Sequence, residues 1–395
     1  MVSAKIVALA QEYMSGGDGP QVAGWLVHDY RGSNPIFRRV IGELDGFITR
    51  PCFLFVPAEG RPRLLVHHVD AGKFRGMDLD STVYSSRRSM LEGMGALAPG
   101  GATVAMEYSP GGALPRVSKV DAGTIDMLRG LDLEVVSSED LVQYATLRWD
   151  DAALASHLRA ADALTRIVQG AFAYVGAHLE DGPTEYDVAE LIRDRFREEG
   201  MHSPDGPIVA ANGHASDPHY EPAPEGSSVI RRGDWLLIDL WARETTDEAM
   251  YADITWVAYV GDRVPEEHRK VWEIVSTARD SALKYLEGSA RQGITLQGAQ
   301  VDRIAREYIA RQGYGEQFTH RLGHSINTEV HGDAVNLDGF ETEDTRSIVP
   351  GICFSIEPGI YLPGFGVRSE IDVYMSEDGP YATTEVQRDV VLIDP

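Results

Sequence analysis

Four acidic residues interrupt segments that otherwise read as buried strands. Asp239 lies in Leu236-Leu237-Ile238-Asp239-Leu240 and Asp253 in Tyr251-Ala252-Asp253-Ile254-Thr255-Trp256-Val257. Glu357 lies in Phe354-Ser355-Ile356-Glu357-Pro358 and Glu370 in Val367-Arg368-Ser369-Glu370-Ile371. An ionised carboxylate in such a run is costly unless it is paired or bound to a cation. Glu357 and Glu370 are symmetric about Pro363-Gly364, a turn dipeptide. A hairpin closed there sets them opposite each other, with Cβ atoms about 5 Å apart. Asp239 and Asp253 are symmetric about Thr246, inside the polar stretch Arg243 to Glu248, so a second directly opposed pair is expected. Like charges so close are strongly unfavourable without a counter-ion, and two divalent metals would resolve all four. His324, in Thr319-His320-Arg321-Leu322-Gly323-His324, offers a nitrogen ligand, and His331 follows seven residues later. Four carboxylates and one imidazole, with no thiolate, suit Mn²⁺ first, with Co²⁺, Fe²⁺ or Zn²⁺ as alternatives. Paired metals about 3.5–4 Å apart can hold a bridging hydroxide as nucleophile and polarise a carbonyl.

The elements that must position these residues follow a recurring order. Apolar residues at helical spacing run from Asp150 to Leu179. After Gly182-Pro183, Thr184 with Asp187 resembles a capping box for a helix stopped by Gly200. Strands are expected at Pro207 to Ala211, Trp235 to Trp241 and Met250 to Val260. The order then repeats, with helices from Pro265 to Glu287 and Thr295 to Gln312, then strands at Gln317 to Leu322, Ile352 to Leu362 and Val367 to Met375. The region therefore reads as a pseudo-duplication of helices and antiparallel strands. Ahead of it, Gly24 to Val27, Cys52 to Pro57, Arg63 to His68 and Ala102 to Met106 read as strands, with helical patterns at Ser89 to Leu97 and Ala122 to Leu131. The expected class is α+β, with a smaller α/β domain over residues 1–147 and a larger domain over 148–395.

Composition narrows the partners. The 395 residues carry 36 Lys+Arg against 61 Asp+Glu, a formal net charge of −25. Nucleic acid and anionic membranes both need clustered cations, so neither is expected. Two cysteines far apart, Cys52 and Cys353, argue against a disulfide framework. Met1 to Tyr13 is a short amphipathic stretch without the apolar core of a signal peptide, and no run approaches the length of a membrane span. A cytoplasmic protein is expected.

The series Asp239, Asp253, His324, Glu357, Glu370 resembles that of the pita-bread metallopeptidases, which include prolidase, aminopeptidase P and methionine aminopeptidase. Ile356-Glu357-Pro358-Gly359-Ile360-Tyr361 with Gly366-Val367-Arg368-Ser369-Glu370, and Asn212-Gly213 with Pro218-His219-Tyr220, are similar to the proline-specific branch. The resemblance implies a catalytic pita-bread domain preceded by a creatinase-like N-terminal domain, and a homodimer. It implies that Asp239 chelates one metal, that Asp253 and Glu370 bridge both, and that His324 and Glu357 complete the other. It assigns Glu357 as proton shuttle, His331 and His219 to the substrate side, and Arg368 to orienting a ligand or binding the substrate's carboxylate. His320 would stand behind the ligands or belong to the core.

Three departures touch the pocket. The two aspartates are three residues farther apart than is usual, Trp256 replaces the Arg that commonly follows Asp-x-Thr, and Gly332 stands where Glu is common after His331. The activity implied is hydrolysis of dipeptides with C-terminal proline, a two-metal Xaa-Pro dipeptidase. The alternatives are aminopeptidase P acting on longer peptides, a non-peptidase small-molecule hydrolase on the same scaffold, and a non-catalytic binding module.

Overall fold

Apolar runs of four to six residues, bounded by turn residues, build the sheet of the first unit. A computed structural model describes residues 2–16 and 21–394. Met1, the first residue of the expected amphipathic stretch, lies outside the described residues. The chain divides into two compact units, Met1–Arg148 and Trp149–Pro395. The first holds a six-stranded mixed sheet in the order Asp80–Tyr84, Arg63–His67, Cys52–Pro57, Gly24–Asp29, Thr103–Met106, Glu134–Ser137. Asp80–Tyr84 is an edge strand with four exposed residues out of five, which is why no apolar run announced it. The polar cluster Asp29 to Pro35 is spent locally. Asp29 accepts from the backbone N–H groups of Gly32 and Asn34, and Asn34 caps the helix Pro35–Ile41.

The second unit repeats helix, helix, strands. Asp151–Ala177 and Glu185–Glu198 precede the strands Ile208–Ala211, Trp235–Glu244 and Ala252–Val260. Glu266–Arg291 and Gly298–Arg311 precede Ser325–Ile326, Cys353–Ile356, Gly359–Leu362, Phe365–Arg368 and Ile371–Ser376. Thr184 and Asp187 form a reciprocal capping box. The apolar stripe of the first long helix (Leu164, Ile167, Val168, Phe172 and Val175) packs on Ile238, Leu240, Ile254 and Val260 of the sheet. One sheet face is thus closed by helices, and alternation turns Asp239, Asp253 and Thr255 to the other.

The second long strand pair is interrupted. Segments 317–322 and 352–362 read as strands, but 317–322 contains no strand, and 352–362 is broken between Ile356 and Gly359. Both breaks serve the site. The register Ile356↔Ile371 and the register Gly359↔Arg368 belong to one continuous pairing. Between them Glu357 and Glu370 face each other at a gap in the ladder. Their backbone N–H groups turn away, Glu357 to Leu322 O at 2.8 Å and Glu370 to Thr255 O at 3.3 Å. The latter bond ties the two sheets together at the site.

His157 anchors the first helix beneath the sheet. It is fully buried, its Nδ1 lies 2.7 Å from the Tyr251 carbonyl, and its Nε2 lies 2.7 Å from Thr383 Oγ1. Burial lowers its pKa from 6.5 to about 4. As pH falls through 6.5, the unfolded chain gains a proton that the folded chain refuses until about pH 4. Stability therefore falls by about 2 kcal/mol between pH 6.5 and 5 through this residue alone. Chemical unfolding at pH 7 and pH 5 checks this. His157→Gln should shrink the difference between the two pH values by about that amount, and an unchanged difference would contradict it.

Candidate active site and metal centre

Alternation in two strands and a gap in a third pairing bring the acids into one cavity of about 530 Å³. Asp239, Asp253, His324, Glu357 and Glu370 all line it, as do His219, His320, His331 and Arg368. Asp253 Oδ2 is 3.6 Å and Glu357 Oε1 is 3.3 Å from His324 Nε2. Ligand atoms of Asp253, His324 and Glu370 all lie within 4.8 Å of one another.

The geometry of the aspartate pair departs from the expected one. Asp239 pairs with Thr255 and Asp253 with Trp241, so the two acids are diagonal rather than directly opposed. The hairpin is centred one residue later than Thr246. A shift of two in pairing partner keeps both residues on the same face, so the convergence survives while the direct opposition does not. Arg368 stands beside two of these acids. Its guanidinium pairs with Asp239 Oδ2, lies 4.0 Å from Glu357 Oε2 through Nε, and donates from Nε to Thr255 Oγ1 at 3.0 Å and from NH1 to Tyr361 Oη at 3.0 Å. Asp372 lies a strand step beyond Glu370 and accepts the Asp253 backbone N–H at 2.8 Å.

Supporting residues hold four of the five candidate ligands, His324, Glu357, Glu370 and Asp239. Ser355 Oγ accepts from the His324 N–H at 3.0 Å and donates to Glu357 Oε1 at 3.0 Å. Gly323 is required beside it, since a Cβ there would stand 1.9 Å from the Ser355 carbonyl oxygen. Thr255 Oγ1 donates to Glu370 Oε2 at 2.7 Å. The His320 ring sits 2.7 Å from the Arg321 carbonyl through Nδ1 and 2.7 Å from Tyr361 Oη through Nε2. A carbonyl can only accept, so Nδ1 carries the proton and Nε2 accepts from the tyrosine. Burial holds His320 neutral, its pKa lowered to about 4, and pushes Tyr361 up to about 12. The chain His320–Tyr361–Arg368 thus fixes the guanidinium against Asp239.

Glu185 performs the same service for the His219 loop. It is fully buried and accepts from the Ala211 and Ser228 N–H groups at 2.6 Å, from His214 Nδ1 at 2.9 Å and from Tyr220 Oη at 2.7 Å. Reading the sequence passed over Glu185, Ser355, Thr255 and Tyr361 as site residues. Thr255 and Ser355 carried a local signal, since they lie two residues from Asp253 and Glu357 in expected strands and share their faces. His219 and His331 are exposed at the cavity, and the His331 ring stands edge-on to His324 at 4.3 Å. Two departures are built into the fold. Trp256 is buried with the helix-facing core. A Cβ on Gly332 would meet Ser325 Oγ at 2.6 Å, so a larger residue there would have to displace the hydroxyl that accepts from the Ala334 N–H.

The donor set fits divalent cations. Asp239, Asp253 and Glu370 each keep one buried carboxylate oxygen with no hydrogen-bond donor. Burial raises the pKa of Asp253 and Glu370 well above the usual carboxylate range, with Glu370 and Asp239 adding repulsion at Asp253, and Glu357 and Asp239 at Glu370. Burial also raises Asp239, opposed by Arg368. Buried oxygens without donors and with mutual repulsion are what a cation neutralises. A stability test follows. With the folded pKa values raised, the metal-free protein loses stability as pH rises above the unfolded value near 4. The rise in Tm on adding Mn²⁺ to chelator-treated protein should therefore be larger at pH 8 than at pH 5.5. An equal rise at both would contradict the reading.

The chain matches the model of metallopeptidase family M24 over residues 159–377. It belongs to that family. Over 218 residues it is 32% identical to the Xaa-Pro dipeptidase of Lactobacillus helveticus, covering 54% of this chain and 55% of the relative. The Xaa-Pro dipeptidase of Pyrococcus furiosus is 32% identical over 215 residues, covering 54% and 57%. The chain spans about half the length of the curated relatives it matches. Among solved structures, dipeptidase PepE from Mycobacterium ulcerans aligns over 99% of this chain and 98% of its own with a TM-score of 0.70 at 23% identity. The prolidase from Thermococcus sibiricus aligns over 98% of each chain at 0.63 and 22%. The fold of the whole chain is therefore the one found in these prolidases and dipeptidases. Among the described residues no helix is long and apolar enough to cross a membrane.

Proposed function

We propose that the chain is a two-metal Xaa-Pro dipeptidase that hydrolyses the peptide bond before a C-terminal proline. One observation carries the reading. Four acids and a histidine, separated by up to 131 residues in sequence (370 − 239), line one cavity, and three of the acids keep a buried oxygen without a donor. Asp239, Asp253, His324, Glu357 and Glu370 would hold the ions, and Mn²⁺ is the ion such oxygen-rich ligands favour. Bound ions would supply Lewis-acid polarisation of the scissile carbonyl and an activated water.

The chain's own residues supply the rest. Glu357 is half-buried at the cavity, and the Ser355 hydroxyl fixes one of its oxygens. It takes the proton from the attacking water and delivers it to the leaving proline nitrogen, which cannot depart as an anion. His331, beside His324, donates to the oxygen of the scissile carbonyl as charge develops there. His219 closes the cavity from the loop that Glu185 anchors. Arg368 is committed to Asp239 and Tyr361, so it orients a ligand rather than meeting the substrate. The same reading includes a cytoplasmic homodimer.

The names of the curated relatives support the dipeptide preference over longer peptides. The deciding assay uses Mn²⁺-loaded protein with Ala-Pro, Leu-Pro and Ala-Pro-Ala. Proline release from the dipeptides, with the tripeptide cleaved at least about tenfold more slowly, is expected. A preference for the tripeptide would make the enzyme an aminopeptidase P. Cleavage of neither would end the reading.

A further inference from the structure

The cavity has one aromatic wall whose place in the sheet is set by register. Trp241 faces Asp253 directly across the strand pair, so its side chain shares the ligand face. The pairing Ile208↔Asp239, carried two residues further, brings Gly206 to the other side of Trp241. There a Cβ on Gly206 would stand 3.1 Å from the indole. The ring is thus held between Gly206 on one side and the Asp253 row on the other. It is half-buried and lines the cavity together with Ile208 and Val330. Both Trp241 and Val330 also pack on the core cluster of Trp149, Tyr251, Ile326 and Cys353, which fixes the wall from behind.

Charge orients a dipeptide against this wall. The carboxylates at the cavity that do not belong to the ligand set are Asp205, Asp217 and Glu221 from the first half and Glu341 from the second. Glu341 is paired with Arg321 at 3.7 Å. Asp205 adjoins Gly206, hence Trp241. With Arg368 committed to Asp239, the remaining arginine at the cavity, Arg321, also comes from the second half. A zwitterion directs its ammonium toward Asp205 and its carboxylate toward the second half.

Resting on the dipeptidase reading, we propose that Trp241 is a specificity-determining residue, forming with Ile208 and Val330 the subsite for the side chain of the substrate's N-terminal residue and favouring large apolar groups there. Apolar burial against a fixed wall acts on ground state and transition state alike, so it appears in KM.

The test compares kcat and KM for Leu-Pro and Gly-Pro in the Mn²⁺-loaded wild type, Trp241→Phe and Trp241→Ala. The wild type should favour Leu-Pro in kcat/KM by at least about tenfold. Trp241→Ala should bring the ratio within about threefold through a rise in KM for Leu-Pro, and Trp241→Phe should keep most of the preference. A residue that only supports Asp253 would lower kcat for both substrates equally and reduce bound Mn²⁺. That result, or a ratio unchanged in both variants, overturns the proposal while leaving the dipeptidase reading in place. A wild type that cleaves neither dipeptide overturns both. Should Trp241→Ala fail to fold, Trp241→Phe and Val330→Ala decide by the same ratio: a preference lowered by Val330→Ala and largely kept by Trp241→Phe supports the subsite, and one that Val330→Ala leaves unchanged overturns it.

Discussion

Asp253→Asn should bind less than one Mn²⁺ per chain after dialysis and lose at least about 10³-fold in kcat/KM toward Xaa-Pro dipeptides, a loss of about 4 kcal/mol in transition-state stabilisation. Asp253 is the acid most crowded by others. Burial raises its pKa first, and Glu370, Asp239 and Asp372 each raise it further. Its Oδ1 is buried with no donor. An amide of the same shape keeps the packing but removes the charge that a hard cation requires. It also removes repulsion, which gives the prediction a second readout. Chelator-treated Asp253→Asn should unfold at the same temperature as chelator-treated wild type or higher. A variant that is inactive yet retains two ions, or that is less stable than the metal-free wild type, would show that Asp253 serves the fold rather than the metals.

Glu357→Gln should lower kcat by about 10²- to 10⁴-fold with KM changed only a few-fold. Unlike Asp253, Glu357 is half-buried. Its Oε1 is held by Ser355, 3.3 Å from His324 Nε2, while Oε2 lies 4.0 Å from Arg368 Nε. Glutamine preserves an oxygen for coordination and for the serine but cannot carry a proton between water and the leaving nitrogen. Metal analysis separates the roles. With at least one ion retained, a fall in kcat belongs to proton transfer. A variant within tenfold of wild type would remove Glu357 from the proton path.

Much of this site was legible because buried acids are expensive. An acid inside an apolar strand needs a reason, and the turn at Pro363-Gly364 lets Glu357 and Glu370 be paired by counting alone. Their register in the structure is the one so counted. The same counting misplaced Asp239 against Asp253 by two residues, because the loop between them has no Pro-Gly turn to fix its centre. Long-range partners left no local trace. The bond from Arg368 to Asp239 spans 129 residues and that from Thr255 to Glu370 spans 115. Glu185 reads in the sequence as an ordinary first-turn acid of a helix, yet it gathers one donor from the end of the strand Ile208–Ala211 and three from the His219 loop that follows. The segment 317–322 reads as a strand from its place in the repeated order of elements. Its Leu322 N–H goes instead to the Asp302 carboxylate, and only the Leu322 carbonyl meets the sheet, accepting from the Glu357 N–H.

The central claim is that five residues from two repeated halves form one dinuclear centre. Crystals grown with Mn²⁺, measured at the manganese absorption edge, test it most directly. Two anomalous peaks per chain are expected, both within coordination distance of the Asp253 and Glu370 carboxylates. Asp239 should border one, and His324 with Glu357 the other. Peaks elsewhere, or none in this cavity at saturating Mn²⁺, would contradict it.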